Sequence, residues 1–406
     1  MTLSINQFGK RITAVAATCC IAAAAQAQIS GDVIRIGLIT DMSSNYAYLD
    51  GPGGAEAIRM AIADMKGEVA GKKIELLVAD HQSKADIAAS KAREWFDTQG
   101  LDMLIAGTNS ATGLAMVKVA AEKKKPVIVI GAGSSRVTNE DCTPYSIHYA
   151  YDTVALANGT GSAIVKQGGK SWYFLTADYA FGQSLQNDAS EVVKKAGGQV
   201  VGSIKHPLNA SDFSSFLLQA QASKAQILGL ANAGGDTVNS IKAANEFGVT
   251  KTMKIVGLLM FMNDVHALGL AQAQGLYMTD SWYWDQNAES RAWSRRFFEK
   301  MKAMPSSLHA ADYSAAMHYL KAVQATKTDD ADAVMKKMKE MPINDMYTKG
   351  RIRPEDGRGI HDMYVYQTKT PAESKVPYDY LKLVATIPGD QVFTKLADSR
   401  CPLVKK

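Results

Sequence analysis

The sequence predicts an α/β protein of two Rossmann-like lobes, each a parallel sheet covered by helices, with three hinge crossings between them. Three observations carry this. Short apolar runs bounded by Gly, Pro or Asp alternate with longer stretches of helical periodicity along most of the chain. The strand candidates read as continuous apolar runs, the pattern of sheets covered on both faces. A chain of 406 residues, 47% of them hydrophobic, is too long for one core, so two are expected.

The first element is a leader. Lys10 and Arg11 precede an apolar stretch over 12–25, and Ala25-Gln26-Ala27 forms a small-x-small cleavage site, so residues 1–27 are expected to be a signal peptide. The apolar run is short for a bilayer span, so a soluble periplasmic protein is expected. A lipid anchor at Cys20 would need a better lipobox than Ala17-Thr18-Cys19. Of four cysteines, Cys19 and Cys20 leave with the leader, and Cys142 and Cys401 remain. In an oxidising compartment these most simply form one disulfide, with two unpaired buried thiols as the alternative.

The first series places strands at 33–39, 74–79, 103–106 and 126–130, with helices at 54–64, 85–99 and 111–124 between and around them. A second series places strands at 172–176, 227–231, 254–258 and 276–279, with helices at 154–166, 182–195, 213–222, 236–247 and 290–302. The chain crosses between lobes near 146–152 and returns near 281–285. The tail at 349–368, containing Met363-Tyr364-Val365-Tyr366, reads as strands and makes a third crossing. The expected lobes are 28–148 with 285–345, and 149–284 with 346–406.

In open parallel sheets a ligand lies beyond the carboxyl ends of the strands, so the loops there are informative. They read Asp41-Met42-Ser43-Ser44-Asn45-Tyr46, Gly107-Thr108-Asn109-Ser110, Gly131-Ala132-Gly133-Ser134-Ser135, Asp178-Tyr179-Ala180-Phe181-Gly182 and Asn232-Ala233-Gly234-Gly235-Asp236. Small hydroxyl residues and glycine at helix starts leave backbone N–H groups free to hold a carboxylate. For any single loop, helix capping is the better explanation. Several such loops around one cleft are what point to a clamshell receptor.

Taken together, Ile34 to Asp41, Leu77 to Lys84, Gly107 to Ser110, Val129 to Ser134, Asp178 to Gly182 and Ala244 to Gly248 resemble the type I periplasmic substrate-binding proteins of branched-chain amino-acid ABC transporters. The resemblance spans the mature chain. It implies a monomer that hands a small carboxylate to an inner-membrane permease, with no cofactor, no metal and no catalysis. It also implies carboxylate contacts at Asn109, Ser110, Ala132 and Ser134, a closing aromatic at Phe181 beside Tyr179, and a further contact around Asn232, Ala233 and Asp236. Ser44 and Tyr151 stand at the first loop and the first crossing.

One departure bears on the ligand. Amino-acid binders of this type carry an acidic residue after the strand equivalent to 254–257, paired with the ligand ammonium. Here the chain reads Leu258-Leu259-Met260-Phe261. An ammonium buried without a partner is costly, so an acid lacking an amine is expected unless Asp178 or Asp236 takes that role. Asp280-Ser281-Trp282-Tyr283-Trp284-Asp285 resembles family members associated with benzoate and phenylpropenoate derivatives, which makes Met260 and Trp282 candidate walls for a flat ring. Packing between lobes explains those aromatics equally well. A branched-chain or other aliphatic amino acid is the alternative ligand.

Other chemistries fit poorly. Gly131-Ala132-Gly133-Ser134-Ser135-Arg136 begins like a dinucleotide fingerprint but ends on Arg136, and Gly169-Lys170-Ser171 precedes a strand instead of following one. Seven histidines are scattered without metal-ligand spacing, no Gly-x-Ser-x-Gly elbow appears, and a secreted enzyme would need a reactive pair that the motifs lack. The net charge of +5 is interspersed, with no basic stripe for nucleic acid.

Overall fold

The computed structural model describes residues 1–2 and 28–405. Residues 3–27 of the expected leader, with its two cysteines, lie outside these residues. The first sheet orders its strands Glu68–Val69, Lys72–Asp80, Val33–Thr40, Met103–Ala106, Val127–Val129 and Ser146–His148. All neighbours are parallel except the short hairpin of Glu68–Val69 with Lys72–Asp80. The second sheet orders Lys254–Gly257, Ile227–Ala231, Ser171–Ala177 and Gln199–His206, all parallel.

Two of the parallel strands were not legible in the sequence. Ser146–His148 closes the edge of the first sheet, so the crossing itself is shorter than 146–152. Gln199–His206 is an edge strand whose residues alternate between exposed and partly covered, so it lacks a continuous apolar run. The strand expected at 276–279 forms as Tyr277–Asp280 but lies outside the parallel sheets. It pairs antiparallel with Met363–Thr368, which pairs antiparallel with Leu381–Ile387. The helix expected at 154–166 is interrupted by a π turn over Ala157–Gly161.

Helices far apart in the chain pack together. Gly51–Asp64 starts with Pro52 in its first turn, where the missing N–H is harmless. It packs against Ser307–Thr326, an alanine-rich helix capped by the Ser306 hydroxyl accepting from His309 N at 3.3 Å. Cys142 and Cys401 are bridged, fastening the C-terminal segment to the first lobe. Among the described residues no helix is long and apolar enough to cross a membrane.

Aromatic side chains lock the crossings. Tyr149 stacks on Tyr347 with centroids 6.0 Å apart and shares a 2.7 Å hydrogen bond with Ser314. Trp282 donates its indole N–H to Met346 O at 2.9 Å. His361 Nε2 lies 3.1 Å from Tyr149 O, tying the strand Gly359–His361 to the segment after Ser146–His148.

Candidate ligand-binding cleft

A cavity lies where the carboxyl ends of both parallel sheets face each other. Thr108, Asn109, Ser110 and Gly131 enter from the first sheet, with Tyr46 and Leu49 from the loop after Val33–Thr40. Tyr179, Phe181, Ala233, Leu259 and Phe261 enter from the second sheet, Tyr151 from the first crossing and Leu308 from the helix Ser307–Thr326.

The polar end is built at the start of the helix Ser110–Lys123. Asn109 has φ +73°, a conformation that Asn tolerates better than most residues. Its Oδ1 accepts from Ala111 N at 2.9 Å and Thr112 N at 3.3 Å, which caps the helix and leaves the Nδ2 donors on the cavity side. Ser110 Oγ accepts from Ser134 N at 3.0 Å, so its own hydrogen remains to be donated. With the helix dipole behind them, these groups form an anion-receiving corner.

The remaining walls are rings and alkyl groups. Tyr151 donates to Gly131 O at 2.9 Å, which turns its ring face along the cavity, and its ring meets Phe261 at 6.1 Å. Tyr179 and Phe181 lie 6.2 Å apart. Burial pushes the Tyr46, Tyr151 and Tyr179 phenols far above their ordinary range, so all three stay protonated.

The lobes meet around this cavity. Tyr46 and Tyr179 share a 2.7 Å hydroxyl contact, Ser134 and Ser184 another of 2.7 Å, and Ser135 donates to Asp188 at 2.9 Å. Tyr48 donates to Asp264, whose other oxygen accepts from Phe261 N at 2.8 Å. A Cβ on Gly235 would lie 2.2 Å from Asn45 Oδ1, so only glycine permits this approach. Burial raises the Asp188, Asp236 and Asp264 carboxyls to about 6.

Of the residues singled out from the sequence, Asn109, Ser110, Tyr151, Tyr179 and Phe181 line the cavity. The others sit behind or beside it. Ser44 donates to Asp41 at 2.7 Å, and Ala132 is buried beneath the helix that begins at Ser110. Ser134 contributes its hydroxyl to Ser184 across the lobes. Asn232 is held by Thr237 and Ser240, and Asp236 accepts from Asn209 N at 3.1 Å. Met260 folds back over Gly257, and Trp282 is engaged in the hinge. Asp178 is half exposed and paired with Lys205 at 2.9 Å.

Ala233 falls in the loop of the expected further contact, and Leu259 and Phe261 in the stretch that departs from the family, whereas Tyr46, Thr108 and Gly131 fall in loops that the strand pattern marks, without a motif to single them out. Leu49 and Leu308 carried no signal. Leu308 arrives from a helix some 260 residues beyond Leu49, as a consequence of long-range packing alone.

A family model described as periplasmic binding protein matches residues 33–374. The chain belongs to the periplasmic binding protein family. A periplasmic binding protein of Burkholderia mallei is 66% identical, with a TM-score of 0.91, over 92% of this chain and 100% of that one. A solute-binding protein of an ABC transporter from Rhodopseudomonas palustris, solved with 3,4-dihydroxybenzoic acid, is 24% identical with a TM-score of 0.80, covering 88% of this chain and 98% of that one, and shares the fold. A Leu/Ile/Val-binding protein homolog of Brucella melitensis is 26% identical over 64% of this chain, and the match spans 66% of that relative's length. As a periplasmic binding protein this chain is a solute-binding receptor, and the cavity between its sheets is its candidate solute site.

Proposed function

We propose that this binding protein captures a small carboxylate without an amine, an aromatic acid of the benzoate or phenylpropenoate type, and delivers it to an ABC permease. The observation that carries this reading is the make-up of the cavity wall. Side-chain and helix-start donors gather at Asn109 and Ser110, five aromatic rings and three leucines form most of the rest, and no acidic side chain is among the lining residues.

The physical balance favours that ligand. A carboxylate at Asn109 and Ser110 gains charge-assisted hydrogen bonds of about 1.5–3 kcal/mol each. A ring removed from water between Tyr151, Tyr179, Phe181 and Phe261 gains about 25 cal/mol per Å² of apolar surface. An ammonium in the same place would lose its hydration and meet Leu259 and Phe261 instead of an acid, a penalty of several kcal/mol.

The carboxylate lands on the corner at Asn109 and Ser110 while the lobes are apart. The second lobe then brings Tyr179 and Phe181 over the ring, and the contacts Tyr46–Tyr179, Ser134–Ser184 and Tyr48–Asp264 close the rim. Closure of this kind is what a permease reads.

The amino-acid reading is favoured by the Brucella relative's name and by Asp236, which lies near the cavity loop at Ala233. Its carboxyl is buried and already accepts a backbone N–H from Asn209. The deciding experiment is a thermal-shift screen of the protein refolded to strip bound solute. Benzoate- or cinnamate-type acids are expected to raise the melting temperature, and leucine and valine to leave it unchanged. Stabilisation by leucine or valine overturns the proposal.

A further inference from the structure

Two buried carboxyls stand behind the anion-receiving corner, and neither touches the cavity. Asp50 precedes the helix Gly51–Asp64, Asp312 lies on the helix Ser307–Thr326, and both are fully buried. Asp50 Oδ2 accepts from Thr40 Oγ1 at 2.6 Å and from Thr108 N at 3.1 Å. Asp50 Oδ1 and both Asp312 oxygens meet no donor among the described residues. They face one another across Gly54, where a Cβ would stand 2.2 Å from Asp50 Oδ1 and 2.6 Å from Asp312 Oδ2.

Among the described residues no cation pairs with either carboxyl. The neighbouring His309 accepts from Ser306 N through Nδ1 at 3.1 Å, so its Nε2–H donates to Asp50 O at 3.0 Å and the ring is neutral. The other groups that face the pair are Thr40, Thr108, the Asp41 carboxyl, the Tyr151 phenol and, beyond Thr108, the neutral ring of His81 on Thr108 O at 2.8 Å. Two ionised carboxylates cannot share such a site, and three donorless oxygens call for a proton. Asp50 already accepts two hydrogen bonds on its other oxygen, which makes it the acceptor and Asp312 the acid.

We infer that Asp312 is protonated at neutral pH and donates to Asp50, and that this proton holds the Gly107–Ser110 loop in its anion-receiving shape. Asp50 grips Thr108 N, the residue before the positive-φ Asn109, so the pair fixes where the Asn109 donors point. It also ties that loop to the helix that supplies Leu308. Burial raises both carboxyls, and the Asp50 charge raises Asp312 further. Asp50 and Asp312 are therefore positioning residues. Their effect on a ligand rests on the carboxylate reading above, whereas the proton itself does not.

The test begins without ligand, by infrared difference spectroscopy of the refolded mature protein against Asp312→Asn at neutral pH. A protonated-carboxyl C=O band present in the wild type and lost in the variant is expected, and its absence overturns the inference. Asp312→Asn keeps an N–H donor for Asp50 and is expected to bind benzoate within about threefold of wild type, whereas Asp312→Leu weakens it about tenfold or more. Equal losses in both variants, or wild-type affinity in Asp312→Leu, overturn it as well. Should Asp312→Leu fail to fold, the band and Asp312→Asn decide between them. Failure of the wild type to bind benzoate removes the ligand reading and leaves the infrared result standing.

Discussion

Asn109→Asp keeps the shape of the site and reverses its charge. The Asn109 side chain does two separable jobs. Its Oδ1 caps the helix through Ala111 N and Thr112 N, and its Nδ2 faces the cavity. Asp is as good an N-cap as Asn, and a negative charge at a helix start is favourable, so stability should change by no more than about 1 kcal/mol. Binding should collapse. Two carboxylates about 4 Å apart repel by about 4 kcal/mol at an effective dielectric constant of about 20, roughly a thousandfold in affinity, and the lost hydrogen bond adds to it. Allowing for solvent entering the cleft, a loss of at least about 100-fold is expected. Calorimetric titration with benzoate, beside a melting curve of each protein, separates the two effects. A folded Asn109→Asp protein that binds benzoate within about threefold of wild type would falsify the placement of the carboxylate at this corner.

Other perturbations test other parts of the account. Leu259→Glu puts an acid on the wall that lacks one, and should lower benzoate affinity about tenfold or more while raising that for leucine, read by titration with both. Burial raises the Asp280 carboxyl to about 7, so the folded state holds that proton more tightly than the unfolded chain does. Its contribution is fully present below the ordinary carboxylate range and declines as pH rises through about 7. Asp280→Asn should therefore gain stability relative to wild type at pH 8 by about 2–4 kcal/mol while changing little at pH 4, compared by urea midpoints; equal differences at both pH values would refute the burial argument. Removing the Cys142–Cys401 bridge, which spans a sequence separation of 259, should cost about 2–4 kcal/mol of stability and leave Kd for the ligand unchanged, because neither cysteine lines the cavity.

The fold was largely legible because buried parallel strands advertise themselves. Runs such as Met103–Ala106 and Val127–Val129 are apolar on both faces and lead into Gly107 and Gly131, so the ligand-facing loops could be read directly. Gln199–His206 was not, because an edge strand half open to water has no such run. Tyr277–Asp280 looked like its parallel neighbours, because local composition does not state which strand lies alongside.

The site divides along the same line. The chain by itself determined that loops rich in Gly, Ser, Thr and Asn follow each strand, that no acid follows Lys254–Gly257, and that aromatics cluster at the crossings, since these are properties of composition at known offsets. Tertiary structure decided which of those side chains face the cavity. Ser134, Asn232 and Asp236 have the right chemistry but are engaged by Ser184, by Thr237 and Ser240, and by Asn209. Trp282 faces the hinge, while Leu308 and the Asp50–Asp312 pair are assembled from segments about 260 residues apart. A hydrogen-bonding group has several possible partners, and only the packed chain selects one. Sequence therefore fixes the supply of donors and rings, and long-range packing fixes where they point.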